Sequence, residues 1–599
     1  MTLKDAVEGG LGDVDEAPGK VAASGEVHTW KAEFTGAVVQ GVGASPGLAI
    51  GPLHRFRASP VVTDRIGAGA GDPVRERQSL LGAIERATLE LNDLYLSMAM
   101  RVGEHDAAIF RAQQALLADP ELLQDVTVFI EAGRSAAGAW QQVIDRRVVE
   151  VRNAADPRIA ARAADLHDIG QRVLRRLVSS EWTETPEIAW PDQPCILMAH
   201  DLAPSDTARL DPRKVLGLVT AAGGPTSHTA ILARALGIPA VVGAGNAVLE
   251  VAESTLCILD GTSGRLYSAP TAADLDSARI FQSQQRTRSD EDRAQRYRPA
   301  LMTDGHRIEV LANIGSIAEA AAAVEAGAEG VGLLRTEFLF LGRDSAPTEE
   351  EQFEAYSEMT RALHGLPLII RTLDIGGDKV LPYLPQPKED NPFLGVRGLR
   401  LCLRQPELFA PQLRAIYRAS REGTVKILLP MVATLEELRA AKEIAERVRA
   451  DLNVPPVEIG IMVEVPSTAL LAAEFARECD FFSVGTNDLT QYALAMDRLH
   501  PTLSTQADAL HPAVLRLIDQ TIRGARSAGK WVGVCGGLAG DPLGATILSG
   551  LGVTELSMTL PSLAEVKARL RNTSLVFAQS LARRALACAT AAEVCSLAG

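Results

Sequence analysis

The second half of the chain alternates short apolar runs with longer stretches in which apolar residues recur every three or four positions. The short runs consist mostly of Val, Ile, Leu and aromatic residues, which is typical of strands, and the stretches between them have the period of amphipathic helices. Eight such runs occur, at 307–312, 330–334, 368–372, 426–431, 459–464, 481–485, 531–535 and 554–558. Eight alternating β/α units predict a (β/α)8 barrel of the TIM type over residues 301–599.

The first half of the chain shows three different patterns. Short β-type runs punctuated by Gly and Pro occupy residues 39–73 and return in 181–268, which predicts one α/β domain. Residues 74–180 lie between them and keep helical spacing, which predicts an inserted helical bundle. Residues 1–38 are interpreted as a tail or linker. Residues 269–300 are highly charged with little apolar face, and we interpret them as an exposed helical linker.

Polar residues are concentrated where the predicted barrel strands end. The residues at these ends are Asn313, Arg335, Arg371, Met431, Glu464, Asn487 with Asp488, Cys535 and Met558. Active sites of such barrels lie at the carboxyl ends of the strands, so we interpret these ends as a binding site. Two of them, Arg335 and Arg371, suit an anion because guanidinium groups match phosphate and carboxylate oxygens. Lys379 and Arg498 follow the third and sixth strands and add two more cations.

Two further features of these strand ends bear on chemistry. Glu464 and Asp488 end adjacent strands, so their carboxylates are expected to face each other, and two carboxylates together with phosphate oxygens are a usual way to hold Mg²⁺. Cys535 has two interpretations. Most strand cysteines are small buried thiols, whereas a thiol in a phosphate-binding mouth can give a proton to an enolate. The residues alone leave both interpretations of Cys535 open.

The segment AAGGPTSHTAILARALGIPAVVGAG forms a second constellation. Gly223 and Gly224 permit a tight turn after a strand, and Thr226 or Ser227 is suited to cap the helix that follows. His228 then falls in the first helical turn, where free N–H groups favour an added phosphoryl dianion. Neutral imidazole is a competent nucleophile near pH 7. Since most isolated histidines are only packed or exposed residues, the segment by itself does not decide between these roles.

Composition narrows the class of protein. The 599 residues carry a net charge of −15, which argues against nonspecific nucleic-acid binding. The seven cysteines are widely spaced and form no C-x-x-C pair, so we expect a reducing compartment with neither a disulfide framework nor a zinc site. No apolar run approaches the ~20 residues that span a bilayer, and the acidic N-terminus does not resemble a signal peptide. We therefore expect a cytoplasmic protein without membrane insertion.

Seven segments resemble one family, Enzyme I, the phosphoenolpyruvate–protein phosphotransferase of the bacterial sugar phosphotransferase system. They are GGPTSHTAILARALGIPAVVG, EGVGLLRTEFLF, RTLDIGGDK, NPFLGVRGLR, IGIMVEVPS, DFFSVGTNDLTQY and KWVGVCGGLAGD. The resemblance extends from about residue 39 to about residue 585. It implies a swivelling phosphohistidine α/β domain with the helical bundle inserted, followed by the barrel, and a homodimer formed through the barrel.

The resemblance also implies roles for individual residues. Phosphoenolpyruvate is expected to bind with Mg²⁺ at a site whose implied metal ligands are Glu464 and Asp488, and whose substrate-binding residues are Arg335, Arg371, Asn487, Asp488 and Arg498, with Lys379 and Arg397 as further candidates. His228 is expected to accept the phosphoryl group, and Cys535 to protonate the enolate and release pyruvate. An HPr-type phosphocarrier is expected to dock on residues 74–180, and residues 269–300 are expected to act as a hinge.

The chain departs from the family pattern in two places. Gly537 stands where many members have an acidic residue, which leaves the tuning of Cys535 uncertain. The first residues, LKDAVEGGLGDVDEA, faintly resemble the end of an HPr-type domain, which suggests a piece or descendant of a multidomain phosphotransferase.

Three other functions fit the same sequence less well. Pyruvate phosphate dikinase and phosphoenolpyruvate synthase also need an ATP-binding domain, for which no Gly-rich segment is found. The nitrogen-regulatory paralogue of Enzyme I carries a further sensory domain. A sensor or scaffold without catalysis would not need the acid, base and metal residues that this chain keeps.

Overall fold

The structure is a computed structural model that describes most of the chain between Trp30 and residue 597. The described residues are 30, 37–56, 72–102, 110, 113–114, 116–152, 163–178, 193–208, 210–224, 227–341, 343, 345–376, 381, 383–384, 387, 389–497, 503 and 506–597. Among them, no helix is both long enough and apolar enough to cross a membrane. All seven cysteines are free thiols, five of them buried.

The first sheet has eight strands and contains the histidine segment. They are β1 Val38–Gln40, β2 Val42–Ser45, β3 Leu48–Arg55, β4 Cys195–Ala199, β5 Val215–Thr220, β6 Ala240–Val242, β7 Leu256–Asp260 and β8 Arg265–Ser268. Their order is β1-β8-β7-β3-β4-β5-β6-β2. The central strands β3 to β6 are parallel, and antiparallel pairs close both sides. Two helices and a 3-10 turn belong to this region: Pro204–Ala208, His228–Ala235 and Asn246–Glu250.

A helical block interrupts this sheet in sequence, between β3 and β4. Its helices are Pro73–Val102, Pro120–Glu131, Ala136–Arg152 and Ala163–Val178. Trp140 lies fully buried in its core and donates from Nε1 to the carbonyl of Gly170 at 2.9 Å. A Cβ at Gly170 would stand 2.5 Å from Ile144 Cγ2, so only glycine allows these two helices to approach so closely. The predicted α/β sheet with an inserted helical bundle is confirmed.

One long helix, Ala272–Ala294, leads from the sheet to the barrel. Thr271 and Asp274 form a capping box at its start. The sequence predicted an exposed linker helix, and most of its length is exposed. Its first turns differ from that prediction, because Ala278 is buried in a small apolar cluster that includes Trp30. Trp30 Nε1 also donates to Ser277 Oγ at 3.1 Å. This helix therefore packs on the first sheet before it reaches the barrel.

The second sheet closes into a barrel of eight parallel strands. They are β10 Arg307–Ile314, β11 Val331–Leu334, β12 Leu368–Arg371, β13 Val425–Leu429, β14 Ile459–Val463, β15 Phe481–Gly485, β16 Trp531–Cys535 and β17 Glu555–Met558. Each pairs with the next, and β17 pairs with β10. The short β9, Ala300–Leu301, adds an antiparallel edge to β10. The predicted (β/α)8 barrel is confirmed. The fourth run ends earlier than predicted because Met431 has a left-handed backbone, with φ of 56°.

Helices surround the barrel on its outer face. They are Ile317–Glu325, Glu349–Ala362, Leu399–Arg404, Pro406–Ala419, Leu435–Leu452, Pro466–Leu470, Ala472–Phe475, Thr486–Leu494, Pro512–Ser527, Pro542–Leu551, Leu563–Arg571, Leu575–Ala587 and Ala591–Ser596, with 3-10 turns at Glu337–Leu339, Pro392–Leu394 and Leu560–Ser562. The main core lies between these helices and the strands. A second, smaller core fills the barrel interior and consists of Leu333, Ile369, Leu428, Met462, Phe481 and Cys535, with Trp531 packed against it.

Candidate active site

Arg371 lies at the centre of the barrel mouth. It is the last residue of β12 and is buried, and its Nη2 donates to Glu337 Oε1 at 2.7 Å. Its Nη1 lies 3.3 Å from Asp374 Oδ2 and 3.9 Å from Glu464 Oε1. Burial lowers the pKa of Arg371, but the surrounding carboxylates raise it more, so the group stays charged. Its Nε has no hydrogen-bond partner although it is buried. An anion in the mouth would supply such a partner.

A second buried arginine, Arg397, joins two carboxylates from different strand ends. Its Nε and Nη2 lie 3.1 Å from the two oxygens of Asp374, and its Nη1 donates to Asp488 Oδ1 at 2.8 Å. Burial lowers the pKa of Arg397, while Asp374 and Asp488 raise it by a larger amount. The sequence offered Arg397 as a substrate-binding candidate, and the contacts described here are with carboxylates of the mouth.

Glu464 and Asp488 lie in the mouth as two buried carboxylates. Glu464 follows β14 and accepts a hydrogen bond from the backbone N–H of Met431 at 2.8 Å. Asp488 lies in the first turn of the helix after β15. Burial raises the pKa of Glu464 above its usual range, and the charges of Asp488 and Asp374 raise it further. Two acids that repel each other at this point would both be stabilised by a cation.

These carboxylates fit a hard cation only with help from a ligand. No cluster of three or more acidic, histidine or cysteine side chains suited to a metal is found among the residues that the structure describes. Mg²⁺ requires six oxygen ligands and commonly takes only one or two from protein carboxylates, with the others from phosphate and water. The donor set of Glu464 and Asp488 therefore fits Mg²⁺ that is shared with a bound phosphate, and it does not form a complete protein cage.

Cys535 ends β16 inside the mouth and is buried. Burial raises the pKa of its thiol to about 11, although Ser483 and the two arginines of the mouth oppose this. Its Sγ lies 3.5 Å from the carbonyl of Val484. A thiol with such a pKa holds its proton at neutral pH and is suited to donate it.

Arg335 directly follows β11 and keeps an exposed surface in the mouth. The protein around its guanidinium nevertheless removes hydration, and this burial, together with the charge of Arg371, lowers the pKa of Arg335. Arg335 also interacts electrostatically with Cys535. The mouth thus combines one accessible arginine, two buried arginines and a thiol that keeps its proton.

The two asparagines predicted at strand ends differ in burial, since Asn313 is buried and Asn487 is exposed. Asn313 is buried in β10 and exchanges hydrogen bonds with Ser557: its Nδ2 donates to the Ser557 carbonyl and its Oδ1 accepts from Ser557 Oγ. Asn487 is exposed next to Gly536. Gly536 has φ of 114°, and a Cβ there would stand 2.5 Å from Thr486 Oγ1. Glycine is therefore required at position 536, whereas the adjacent Gly537 has no positive φ.

The histidine segment follows β5 in the first sheet. Gly223 takes a left-handed turn with φ of 93°. Ser227 is the N-cap of the helix that begins at His228, and its Oγ accepts from the N–H of Ala230 at 3.3 Å. Arg234, in the last turn, donates to the carbonyl of Ala44. His228 is therefore the first residue of a capped helix, as predicted. Its side chain lies outside what the structure describes.

Several predicted residues are not brought into this geometry. Lys379, Arg498 and Thr226 lie outside the described residues.

The sequence interpretation also missed Glu337 and Asp374, which hold the two buried arginines. A signal was present, since acidic residues follow Arg335 in RTEF and Arg371 in RTLD by two and three positions. Buried arginines need carboxylate partners, so this spacing marks both acids as candidates, but it does not show which arginine each one meets.

Comparison with known proteins gives three matching family models in chain order. They are described as "PEP-utilising enzyme, N-terminal" over residues 40–162, "PEP-utilising enzyme, mobile domain" over 191–264 and "PEP-utilising enzyme, PEP-binding domain" over 289–575. The last of these ranges contains the barrel mouth, and the mobile-domain range contains His228.

Named relatives match almost the whole chain. A multiphosphoryl transfer protein of Rhodobacter capsulatus is 51% identical over 598 residues, which cover 98% of this chain and 71% of that protein. The phosphoenolpyruvate-protein phosphotransferase of Staphylococcus carnosus is 41% identical over 568 residues, 93% of this chain and 98% of that protein. That of Haemophilus influenzae is 38% identical over 564 residues, with 93% and 98% covered. The chain therefore belongs to the phosphoenolpyruvate–protein phosphotransferase family of PEP-utilising enzymes.

Proposed function

We propose that this enzyme transfers the phosphoryl group of phosphoenolpyruvate to its own His228 and then to the histidine of an HPr-type phosphocarrier, with release of pyruvate. The reaction is the first step of sugar uptake by the phosphotransferase system. Family membership supports phosphoenolpyruvate as the donor and a protein as the acceptor. The observation that carries the proposal is the mouth of the barrel, where two arginines, two buried carboxylates and a protonated thiol meet.

In this proposal the mouth binds phosphoenolpyruvate through its cations. Arg335 and Arg371 bind the phosphate and carboxylate oxygens. The other substrate-binding residues are Asn487, Asp488 and Arg498, with Lys379 and Arg397 as further candidates. The unpartnered Nε of Arg371 supports this assignment, because a ligand oxygen would satisfy a buried donor. The contacts of Arg397 favour a positioning role, because its Nη1 donates a hydrogen bond that orients the Asp488 carboxylate.

The metal in the proposal is Mg²⁺, held by Glu464 and Asp488. When bound, Mg²⁺ neutralises charge that develops on the phosphoryl oxygens during transfer. Glu464 is oriented by the Met431 N–H, and Asp488 by Arg397. These contacts support a preorganised pair of ligands.

The chemistry is a transfer of the phosphoryl group followed by protonation. A ring nitrogen of His228 attacks phosphorus in line, so that a P–N bond forms while the P–O bond to the enolate breaks. Arg335 and Arg371 stabilise negative charge on the oxygens. Cys535 then gives its proton to the terminal carbon of the enolate, which becomes pyruvate, and the thiolate regains a proton from water. The high pKa of the thiol supports this role because a proton is present to be given.

The acceptor and the mouth belong to different sheets, so the proposal requires movement. The histidine domain, 39–73 with 181–268, turns between the barrel, 301–599, and the phosphocarrier docked on the helical block, 74–180. Residues 269–300 serve as the hinge. The proposal further includes a homodimer and a cytoplasmic location.

Labelling with ³²P-phosphoenolpyruvate and Mg²⁺ tests the proposal. The enzyme should acquire acid-labile label that a purified HPr-type phosphocarrier then removes. His228→Ala should lose the label, while His167→Ala, at an exposed position of the helical block, should keep it. Unlabelled wild-type enzyme would refute the transfer, and label on His228→Ala would refute the acceptor. Formation of phosphoenolpyruvate from pyruvate and ATP would instead favour the dikinase class.

A further inference from the structure

A cavity of about 320 Å³ lies away from the mouth, against the beginning of strand β16. Residues that line it include His306, Ile522, Arg526, Lys530, Trp531 and Gln579. Its volume is in the range of pockets that bind small molecules. Strand β16 runs from Trp531 at this cavity to Cys535 at the mouth, and four residues of strand span about 13 Å. The cavity is therefore separate from the proposed phosphoenolpyruvate site.

Positive charge dominates the side chains that line this cavity. Arg526 and Lys530 both face it, and His306 adds a ring that can donate hydrogen bonds. Among the residues that the structure describes, those lining the cavity include no carboxylate. Two acids next to these elements already have partners. Asp304 accepts from the N–H of Leu575 at 2.7 Å, and Asp480 accepts from the N–H of Ile459 at 2.9 Å while lying 3.7 Å from Lys530.

The guanidinium of Arg526 lies next to the backbone of Gly552. The φ of Gly552 is 105°, and a Cβ at that glycine would collide with Nη2. Nη2 also lies 3.5 Å from the Gly552 carbonyl. Glycine at 552 thus serves both the left-handed turn and the close approach of the arginine. Arg526 is exposed, and its guanidinium lies beside this glycine at the edge of the cavity.

Trp531 lies beside the cavity, and its indole packs against the core of the barrel interior. Its ring stacks on Phe481, with centroids 4.5 Å apart and an angle of 2° between the planes. Lys426 Nζ lies 4.6 Å from the centre of the same ring. Both contacts fix the indole inside the barrel, and Ile522 and Leu575 are the apolar side of the cavity lining. A ligand in the cavity would contact these two residues with a short apolar part while its anionic group met Arg526 and Lys530.

We infer that this cavity is a second ligand site, which takes a small metabolite with an oxyanion group, either a phosphate or a carboxylate. Guanidinium and ammonium groups bind both kinds of oxyanion, and the amide of Gln579 can donate a further hydrogen bond. The site goes beyond the proposed phosphoryl transfer and does not depend on it, because none of its residues belongs to the mouth.

Fluorine NMR of the full-length enzyme tests this inference, with 5-fluorotryptophan in all five tryptophans. The Trp531 resonance is assigned from its absence in Trp531→Phe. Inorganic phosphate and citrate are titrated separately, so the two arms distinguish phosphate from carboxylate binding. At least one probe should shift the Trp531 resonance saturably. The midpoint should rise at least tenfold in Arg526→Gln and in Lys530→Gln, and less in Arg526→Lys.

Two matched variants separate this site from other anion binding. Arg523→Gln removes an exposed arginine one turn away on the same helix, where it pairs with Asp519, and should leave the midpoint unchanged. Arg335→Gln alters the mouth and should also leave it unchanged. The inference is overturned if neither probe shifts the resonance, if Arg526→Gln and Lys530→Gln leave the midpoint unchanged, or if Arg335→Gln abolishes the shift.

Discussion

The guanidinium of Arg397 donates a hydrogen bond of 2.8 Å to Asp488 Oδ1, so a carboxylate proposed to bind Mg²⁺ is held from the side by a buried cation. The same guanidinium contacts Asp374, which in turn lies near Arg371. One chain of alternating charges therefore connects the ends of β12 and β15 in the mouth. Removing any member leaves a buried charge without its partner, which is costly.

Replacing Arg397 should destabilise the barrel. Arg397→Met leaves Asp374 and Asp488 buried without their common partner, and the expected loss in free energy of unfolding is about 3–5 kcal/mol. Urea denaturation measures the loss, and added Mg²⁺ should reduce it because the metal neutralises the same acids. The matched variant is Arg400→Met, which breaks a half-exposed pair with Glu437 and should cost at most about 1 kcal/mol. Equal losses in both variants would contradict the buried-network interpretation.

Replacing the thiol of Cys535 should affect turnover more than binding. Cys535→Ser should keep its affinity for phosphoenolpyruvate but release pyruvate about 10²–10⁴-fold more slowly, the usual contribution of a positioned acid. Single-turnover measurements of pyruvate separate the two effects. Cys588→Ser, at a half-buried thiol near the end of a helix, is the control. Normal turnover in Cys535→Ser would show that this cysteine only fills the barrel interior.

A buried carboxyl in the barrel interior should make stability depend on pH. Burial raises the pKa of Glu555 to about 8, with Lys426 opposing the shift. Its folded pKa lies above the unfolded value of about 4.3, so the folded state binds the proton more tightly and stability is greatest at low pH. As the pH rises between these two pKa values, Glu555 should lower the free energy of unfolding by up to about 1.4 kcal/mol per pH unit.

Urea denaturation at pH 5, 7 and 9 tests the role of Glu555. Glu555→Gln cannot ionise, so it should lose this slope and exceed the wild type in stability at pH 9. Glu309→Gln, at a half-exposed position of β10, should keep the wild-type slope. If Glu555→Gln retains the full slope, another group is responsible for it.

Two adjacent glycines beside the proposed proton donor should respond differently to alanine. Gly536→Ala places a Cβ 2.5 Å from Thr486 Oγ1 at a φ of 114°, and about 1–3 kcal/mol of strain is expected. Gly537→Ala meets nothing closer than Asn487 Oδ1 at 3.9 Å and should be nearly neutral. Thermal unfolding compares the two directly. A tolerated Gly536→Ala would mean that the turn can adopt another backbone.

The barrel was predictable from sequence because its strands are buried on both faces and read as separate apolar runs. Arg371 and Cys535 were found for the same reason, since a polar residue that ends such a run stands out. The ends of strands that depend on backbone conformation were harder to predict. No feature of the amino-acid sequence indicates that Met431 takes a left-handed φ.

The sequence could not predict the pairing of charges in the mouth. Glu337 and Asp374 were missed because their importance depends on which arginines they meet, and those contacts join residues up to 34 positions apart. The cavity beside Trp531 was equally hidden. It is formed by His306 at the beginning of the barrel sequence and by residues from its last third, and no local pattern marks it.

Gly533 lies midway along β16, between Trp531 and Cys535, and these alternate residues share the interior face of the strand. A Cβ at Gly533 would stand 3.0 Å from Glu555 Oε1, and one at Gly332 would stand 2.9 Å from the same oxygen. The missing side chains of two glycines thus create the space that the carboxyl occupies. Across the family, Gly332, Gly533 and Glu555 should therefore be inherited together: homologues that place a larger residue at either glycine should carry a smaller one at 555.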